Sequence, residues 1–137
     1  MLNNFKITKK FLLFIIPYVT LYSIYIQLNG KVSPGGGFQA GVIFGSGAIA
    51  FDLLFGKNAY VKNFKVNFLL AIAAFGVALY AFTGVAFLLK GGNYLDYDVL
   101  NQNYLSGQHT GIFIIETGVG ITVAAIMCLL FALLREN

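Results

Sequence analysis

The chain has 137 residues, of which 58% are hydrophobic and only 10% charged, with a formal net charge of +4. A soluble domain carries about 25% charged residues and a chain this short buries a limited core, so one domain whose apolar surface is covered by lipid or partner helices is expected. The basic excess does not point to nucleic acid: Lys6, Lys9 and Lys10 precede the first apolar run, Lys57, Lys62 and Lys65 lie between the second and third, and Arg135 follows the last, which is where basic residues orient membrane proteins and meet anionic lipid head groups.

The first span is expected over about 11–28. Lysines ahead of an apolar stretch resemble a signal peptide, but no small-residue cleavage site follows and Tyr18, Tyr22 and Tyr25 interrupt the run, so it reads as a retained span. Pro17 should kink it or open its first turns. The three tyrosines fall at i, i+4 and i+7 and share one face, suited to packing and interface anchoring. Residues 29–37 form a polar, glycine-rich connection. The second span is expected over about 38–55, followed by a basic loop over 56–65. The third runs over about 66–89, and a polar loop over 90–106 carries Lys90, Asp96 and Asp98 on a solvated face. The fourth is expected over about 107–134 and is long enough to tilt. Each run is continuously apolar and near the roughly 20 residues that cross a hydrocarbon core. Barrel strands would alternate over about 10 residues. The fold class is therefore an all-α membrane protein with four transmembrane helices. Counting basic residues beside the spans places both the N- and C-termini in the cytoplasm.

Cys128 and His109 are the only cysteine and histidine. Neither an internal disulfide nor a Cys/His metal cluster is expected, and no cofactor is implied. No nucleophile–base set or phosphate loop appears, so the chain does not read as an enzyme.

Two stretches carry more information. Ser33-Pro34-Gly35-Gly36-Gly37-Phe38-Gln39-Ala40-Gly41 opens the second span. Pro34 suits a first helical turn, and three glycines leave the backbone bare, a loose segment that holds a shape only if neighbours fix it. Gly37, Gly41 and Gly45 continue at spacing four, a small-xxx-small stripe for close helix contact. This turn either lines an ion or water path or serves as a tight turn with a packing groove. The second stretch holds Glu116, about nine residues into the fourth span and near its middle. An ionisable group there costs roughly 2.5–3.5 kcal/mol on insertion scales and should face protein or a cavity. Glu116, Gly120 and Ala124 fall at i, i+4 and i+8, again a contact stripe. His109 lies two turns before Glu116 on about the same face, and Thr117 and Thr122 add hydroxyls. Glu116 is a candidate for moving a cation or proton, or else a carboxyl bonded to a partner chain. Asp52, near the end of the second span, is expected to pair with nearby lysines or reach the interface. Glu116, His109 and Asp52 are thus the candidate ion or proton path.

The run from Pro34 to Gly41, and Gly111-Ile112-Phe113-Ile114-Ile115-Glu116-Thr117-Gly118-Val119-Gly120-Ile121-Thr122-Val123 in the last span, resemble the signatures of the MnhB/MrpB family. The resemblance covers nearly the whole chain, 1–137. It implies the MnhB-type component of an Mrp-type sodium/proton antiporter, a multisubunit assembly of the bacterial inner membrane that exchanges sodium or other monovalent cations for protons under proton-motive force. It implies docking against the A subunit and other small subunits. Pro34, Gly35, Gly36, Gly37, Phe38 and Gly41 match the glycine motif, with Ala40 where the family often has a further glycine. Glu116 and Gly118 match the last-span motif. The family assigns no catalytic residue to this component that carries over. Related modules occur in membrane-bound hydrogenases and similar redox-driven complexes, which the residues alone leave open beside a purely structural role. Alone the chain is not expected to transport, since it lacks the repeat halves of alternating-access carriers.

Overall fold

A computed structural model describes residues 2–30, 35–55, 66–96 and 104–136. Four helices form: α1 over Leu2–Asn29, α2 over Gly37–Phe55, α3 over Val66–Leu89 and α4 over Tyr104–Glu136, with no strand among the described residues. Each contains an apolar stretch of 19 to 28 residues. At 1.5 Å per residue, these stretches reach about 28–42 Å, enough for a hydrocarbon core of about 30 Å.

The bounds differ from the sequence pattern at two ends. α1 starts at Leu2, with no glycine or proline ahead of its apolar run to stop it, and α4 starts at Tyr104 and absorbs Gly107 within its second turn. Lys6, Lys9 and Lys10 therefore ride on the exposed first turns of α1. Pro17 does not open the helix, which runs unbroken through it. Proline removes one N–H but leaves the following turns intact. Thr20 Oγ donates to the Ile16 carbonyl at 2.9 Å one turn along.

The helices lie side by side in the order α1, α2, α4, α3, with α1 touching α4 only lightly. The α2–α4 seam sets this order. A Cβ built on Gly37 would overlap the carbonyl oxygen of Glu116, and one on Gly41 would sit 2.6 Å from the carbonyl oxygen of Gly120. One on Gly45 would meet Met127 Cβ at 3.0 Å and the Ala124 carbonyl oxygen at 3.6 Å. The two small-residue stripes of the sequence are therefore each other's partners. Each step of four on α2 meets a step of four on α4 in the same direction, so the two helices run parallel. Glycine costs helix propensity in water, but a membrane helix has no other way to satisfy its backbone. The bare face is then free to bring two backbones together.

α3 packs antiparallel on the other side of α4. Gly76 faces the Gly118 carbonyl and Thr122, and Thr122 Oγ donates both to Gly118 O at 2.9 Å and to Ala73 O at 3.3 Å. A small core of Leu69, Cys128 and Leu129, backed by Ala48, Val66 and Phe131, closes the bundle below this crossing. Beyond α3, the ring of Tyr94 lies over Gly84. Leu95 takes φ +64° in the turn that returns the chain.

The seam predicts a graded glycine series. Gly41→Ala should lower stability by about 1–3 kcal/mol, the usual cost of overpacking. At Gly47 a Cβ meets Thr20 Oγ and Val19 Cγ only at 3.6 Å, so Gly47→Ala should be neutral or stabilising by up to about 1 kcal/mol. Thermal unfolding of the detergent-purified variants checks the order; equal losses at both positions would contradict the seam.

A glycine corner around Glu116 as the candidate functional site

The corner between α1 and α2 is built by two helix ends. α1 finishes with Asn29 Nδ2 donating to the Tyr25 carbonyl at 3.0 Å. α2 begins with Ala40 N donating to the Gly36 carbonyl at 3.1 Å. Gly35 between them has φ +154°, and a Cβ there would overlap the Gln39 side-chain oxygen and approach Ile26 Cγ2 at 3.1 Å. The backbone conformation disfavours a side chain there. Pro34 lies outside the described residues. Phe38 is exposed and points away from the bundle.

Glu116 fills the room the glycines leave. A Cβ on Gly30 would come within 2.6 Å of Glu116 Oε2, and one on Gly36 within 2.8 Å of Oε1. The carboxylate thus sits between the end of α1 and the start of α2, and is half-buried there. Two fields meet on it. The N–H end of α2 favours an anion, by about 0.3–1 kcal/mol for an exposed group and up to about 2 when partly buried. The carbonyl end of α1 carries the opposite partial charge and favours a cation beside it.

By sequence Glu116 falls near the middle of the last span; in the structure it is level with the α1–α2 corner. It lies 19 residues before Arg135, about 28 Å along the axis, close to one hydrocarbon thickness. The first turns of α4 project beyond the corner. His109 rides on them, exposed and about 10 Å up the axis from Glu116. The structure does not bring His109 into the corner.

A polar seam leads inward from Glu116. Gln27 Nε2 donates to Thr117 Oγ at 3.4 Å, and Thr117 Oγ donates to the Phe113 carbonyl at 2.8 Å. Ser23, only 3% exposed, donates to the Ala40 carbonyl at 2.9 Å. Thr20, Ser23 and Gln27 occupy the face of α1 opposite Tyr18, Tyr22 and Tyr25, and all three tyrosines are exposed. Sequence reasoning followed the tyrosines and passed over Ser23 and Gln27. Their spacing of four within an apolar run is the signal that marks them. Beneath the seam lies an open, mostly apolar cavity of about 420 Å³, reached by all four helices and bordered by Ser23, Gln27, Gly41, Ile72, Gly120 and Cys128.

The third candidate acid is at the far end of the bundle. Asp52 is 1% exposed and forms an ion pair with Arg135 of α4 through Oδ2. The partner is thus Arg135 of a different helix. Of the lysines of the following loop, Lys57 and its neighbours through Lys65 lie outside the described residues. Asp52 Oδ1 is buried and has no hydrogen-bond partner among the described residues. Lys9 Nζ stands 5.1 Å from the Phe55 ring centre one turn on, and the Arg135 guanidinium 5.9 Å from that of Phe131. Among the described residues no three His, Cys, Asp or Glu side chains come together as a metal site.

Four membrane-length helices joined by a bare-backbone seam, with acids at its two ends, define a small multi-pass membrane protein of the helix-bundle kind. Residues 7–129 match the family model of the domain related to the MnhB subunit of a Na+/H+ antiporter, and the chain belongs to that family. It is 28% identical over 115 residues to the B component of the Na(+)/H(+) antiporter of Bacillus subtilis, covering 77% of this chain and 80% of the relative. It is 28% identical over 120 residues to the protein of the same description from Alkalihalophilus pseudofirmus, covering 80% and 83%. An uncharacterized protein of Methanocaldococcus jannaschii is 38% identical over 72 residues, 53% of this chain but 27% of the relative. No solved structure matches. The fold and the bacterial relatives make this a multi-pass protein of the bacterial membrane.

The Asp52–Arg135 pair makes a stability prediction. Removing the cation alone, as in Arg135→Met, leaves a buried uncompensated carboxylate and should cost about 3 kcal/mol; replacing both, as in Asp52→Leu with Arg135→Met, should recover most of it. Thermal unfolding in detergent reads the difference, and a double variant no more stable than the single would contradict it.

Proposed function

We propose that the chain is a non-autonomous subunit of a multisubunit sodium/proton antiporter driven by proton-motive force, and that it contributes to assembly and to the ion path. It acts beside the antiporter's A subunit and other small subunits, with both termini in the cytoplasm, and handles monovalent cations and protons without a cofactor. Its role is transport and not catalysis. The family membership and the relatives described as B components of Na(+)/H(+) antiporters support this reading. The observation that carries it is the placement of the Glu116 carboxylate against Gly30 and Gly36.

That corner has the chemistry a cation or proton relay needs. It offers one ionisable group, helix-end carbonyls that favour a positive charge beside it, and helix-start N–H groups that steady the carboxylate once the charge leaves. Binding and release are then closely balanced, as a relay requires. The seam of Gln27, Thr117 and Ser23 continues inward with side chains that hydrogen-bond and do not ionise. Glu116, His109 and Asp52 remain the chain's candidates for the path, with Glu116 the central one.

The test is Glu116→Gln and Glu116→Ala in the assembled complex, with assembly followed by native gel electrophoresis and exchange by sodium-induced collapse of a pH gradient in everted vesicles. Exchange should fall about tenfold, some 1.4 kcal/mol of lost stabilisation, while assembly stays normal. Glu116→Asp should retain part of the activity. Full exchange with normal assembly in Glu116→Gln would reject an ionising role for this residue.

A further inference from the structure

We propose that the outward row of α1 from Lys6 to Tyr18 binds one anionic phospholipid, with Lys6 and Lys10 on its phosphate and Phe14 and Tyr18 along its acyl chain. Lys6, Lys10, Phe14 and Tyr18 follow one another at spacing four, the spacing at which helix side chains lie one above the next. Both lysines are exposed, and Phe14 and Tyr18 are 64% and 58% exposed. Ser23 and Gln27 turn a different face of α1 to the bundle, which leaves this row outside.

The row changes character at the depth where a bilayer does. Lys10 stands 19 residues before Asn29, about 28 Å along the helix and close to one hydrocarbon thickness. Lys6 lies about 6 Å further out, within a head-group layer of about 5–7 Å. Phe14 and Tyr18 lie about 6 and 12 Å inward of Lys10, inside the roughly 15 Å of hydrocarbon that one leaflet provides. Their ring centroids are 5.1 Å apart, so the two rings form one continuous apolar track beneath the lysines.

The charge at this end is unbalanced. Asp52 is committed to Arg135, and Lys9 turns its Nζ to the Phe55 ring. Lys6 and Lys10 have no acid paired with them among the described residues. Like charges four residues apart on a helix repel, and one phosphate between them relieves both. The occupant must therefore bring an anion at head-group depth and an apolar chain below it. An anionic phospholipid supplies both in one molecule. A zwitterionic lipid brings its own cation to the same place and gains less.

This site is independent of the antiport reading, and its test does not use transport. The complex containing the full chain is mixed in detergent with phosphatidylglycerol carrying a photoreactive diazirine in its acyl chain, or with phosphatidylcholine carrying the same chain. Labelling of the segment 11–25 is read by peptide mass spectrometry. The wild type should label severalfold more with the phosphatidylglycerol probe, and the excess should fade in about 1 M salt, where the screening length is about 3 Å. Lys6→Gln with Lys10→Gln should bring the two probes to the same level, and added glycerol phosphate, a head group without a chain, should not compete. Equal labelling by both probes in the wild type, an excess that survives in the double variant or in high salt, or full competition by glycerol phosphate would overturn the proposal. Absence of label from both probes would mean that another chain of the complex covers the row, and would overturn it equally. Should the double variant fail to assemble, Lys10→Gln alone and the wild-type salt comparison decide it by the same criteria.

Discussion

The contact of two backbones along the α2–α4 seam is the constraint on which the rest of the structure depends. Gly37, Gly41 and Gly45 have no side chain, and the Glu116 carbonyl, Gly120 and Ala124 occupy the space that results. In lipid, helix association gains nothing from hiding apolar surface, since the tails are as apolar as leucine. Close packing and hydrogen bonding must supply it instead. A seam of glycines maximises packing and draws α2 and α4 into parallel alignment. That alignment carries the corner at the start of α2 to Glu116 and the end of α2 to Arg135.

The two acids therefore stand at opposite ends of one helix. Glu116 meets the start of α2, where the helix field welcomes a carboxylate. Asp52 belongs to the last turn of α2, where the field opposes one and Arg135 is required. Both contacts use α4, the one helix that packs closely on α2 and α3 together. The difference in field gives the sites different characters. The corner holds its carboxylate with backbone dipoles, whereas the far end holds its carboxylate with the Arg135 guanidinium.

Much of the molecule faces outward with large apolar side chains, among them Phe14, Tyr18 and Tyr22 on α1, Phe75 and Phe82 on α3, and Leu130 on α4. Only 11% of the membrane stretch of α1 is buried. A free-standing soluble fold would not leave such a surface uncovered. Lipid suits it, and so do the other chains of a multisubunit assembly.

The sequence by itself determined the four apolar runs, the two small-residue stripes and the oddity of Glu116, because each follows from spacing along one helix or from the cost of a charge in lipid. It also marked the glycine corner, since three glycines after a proline leave few uses for the chain. Spacing names the face of a helix but not the helix that meets it. Only the tertiary structure decided that the two stripes pair with each other and that Glu116 stands level with the corner. It alone joined Asp52 to Arg135 across 83 residues and set Ser23 and Gln27 against α2 and α4. Those pairings depend on which backbones come closest when the helices pack in three dimensions, and no pattern within a single span encodes that distance.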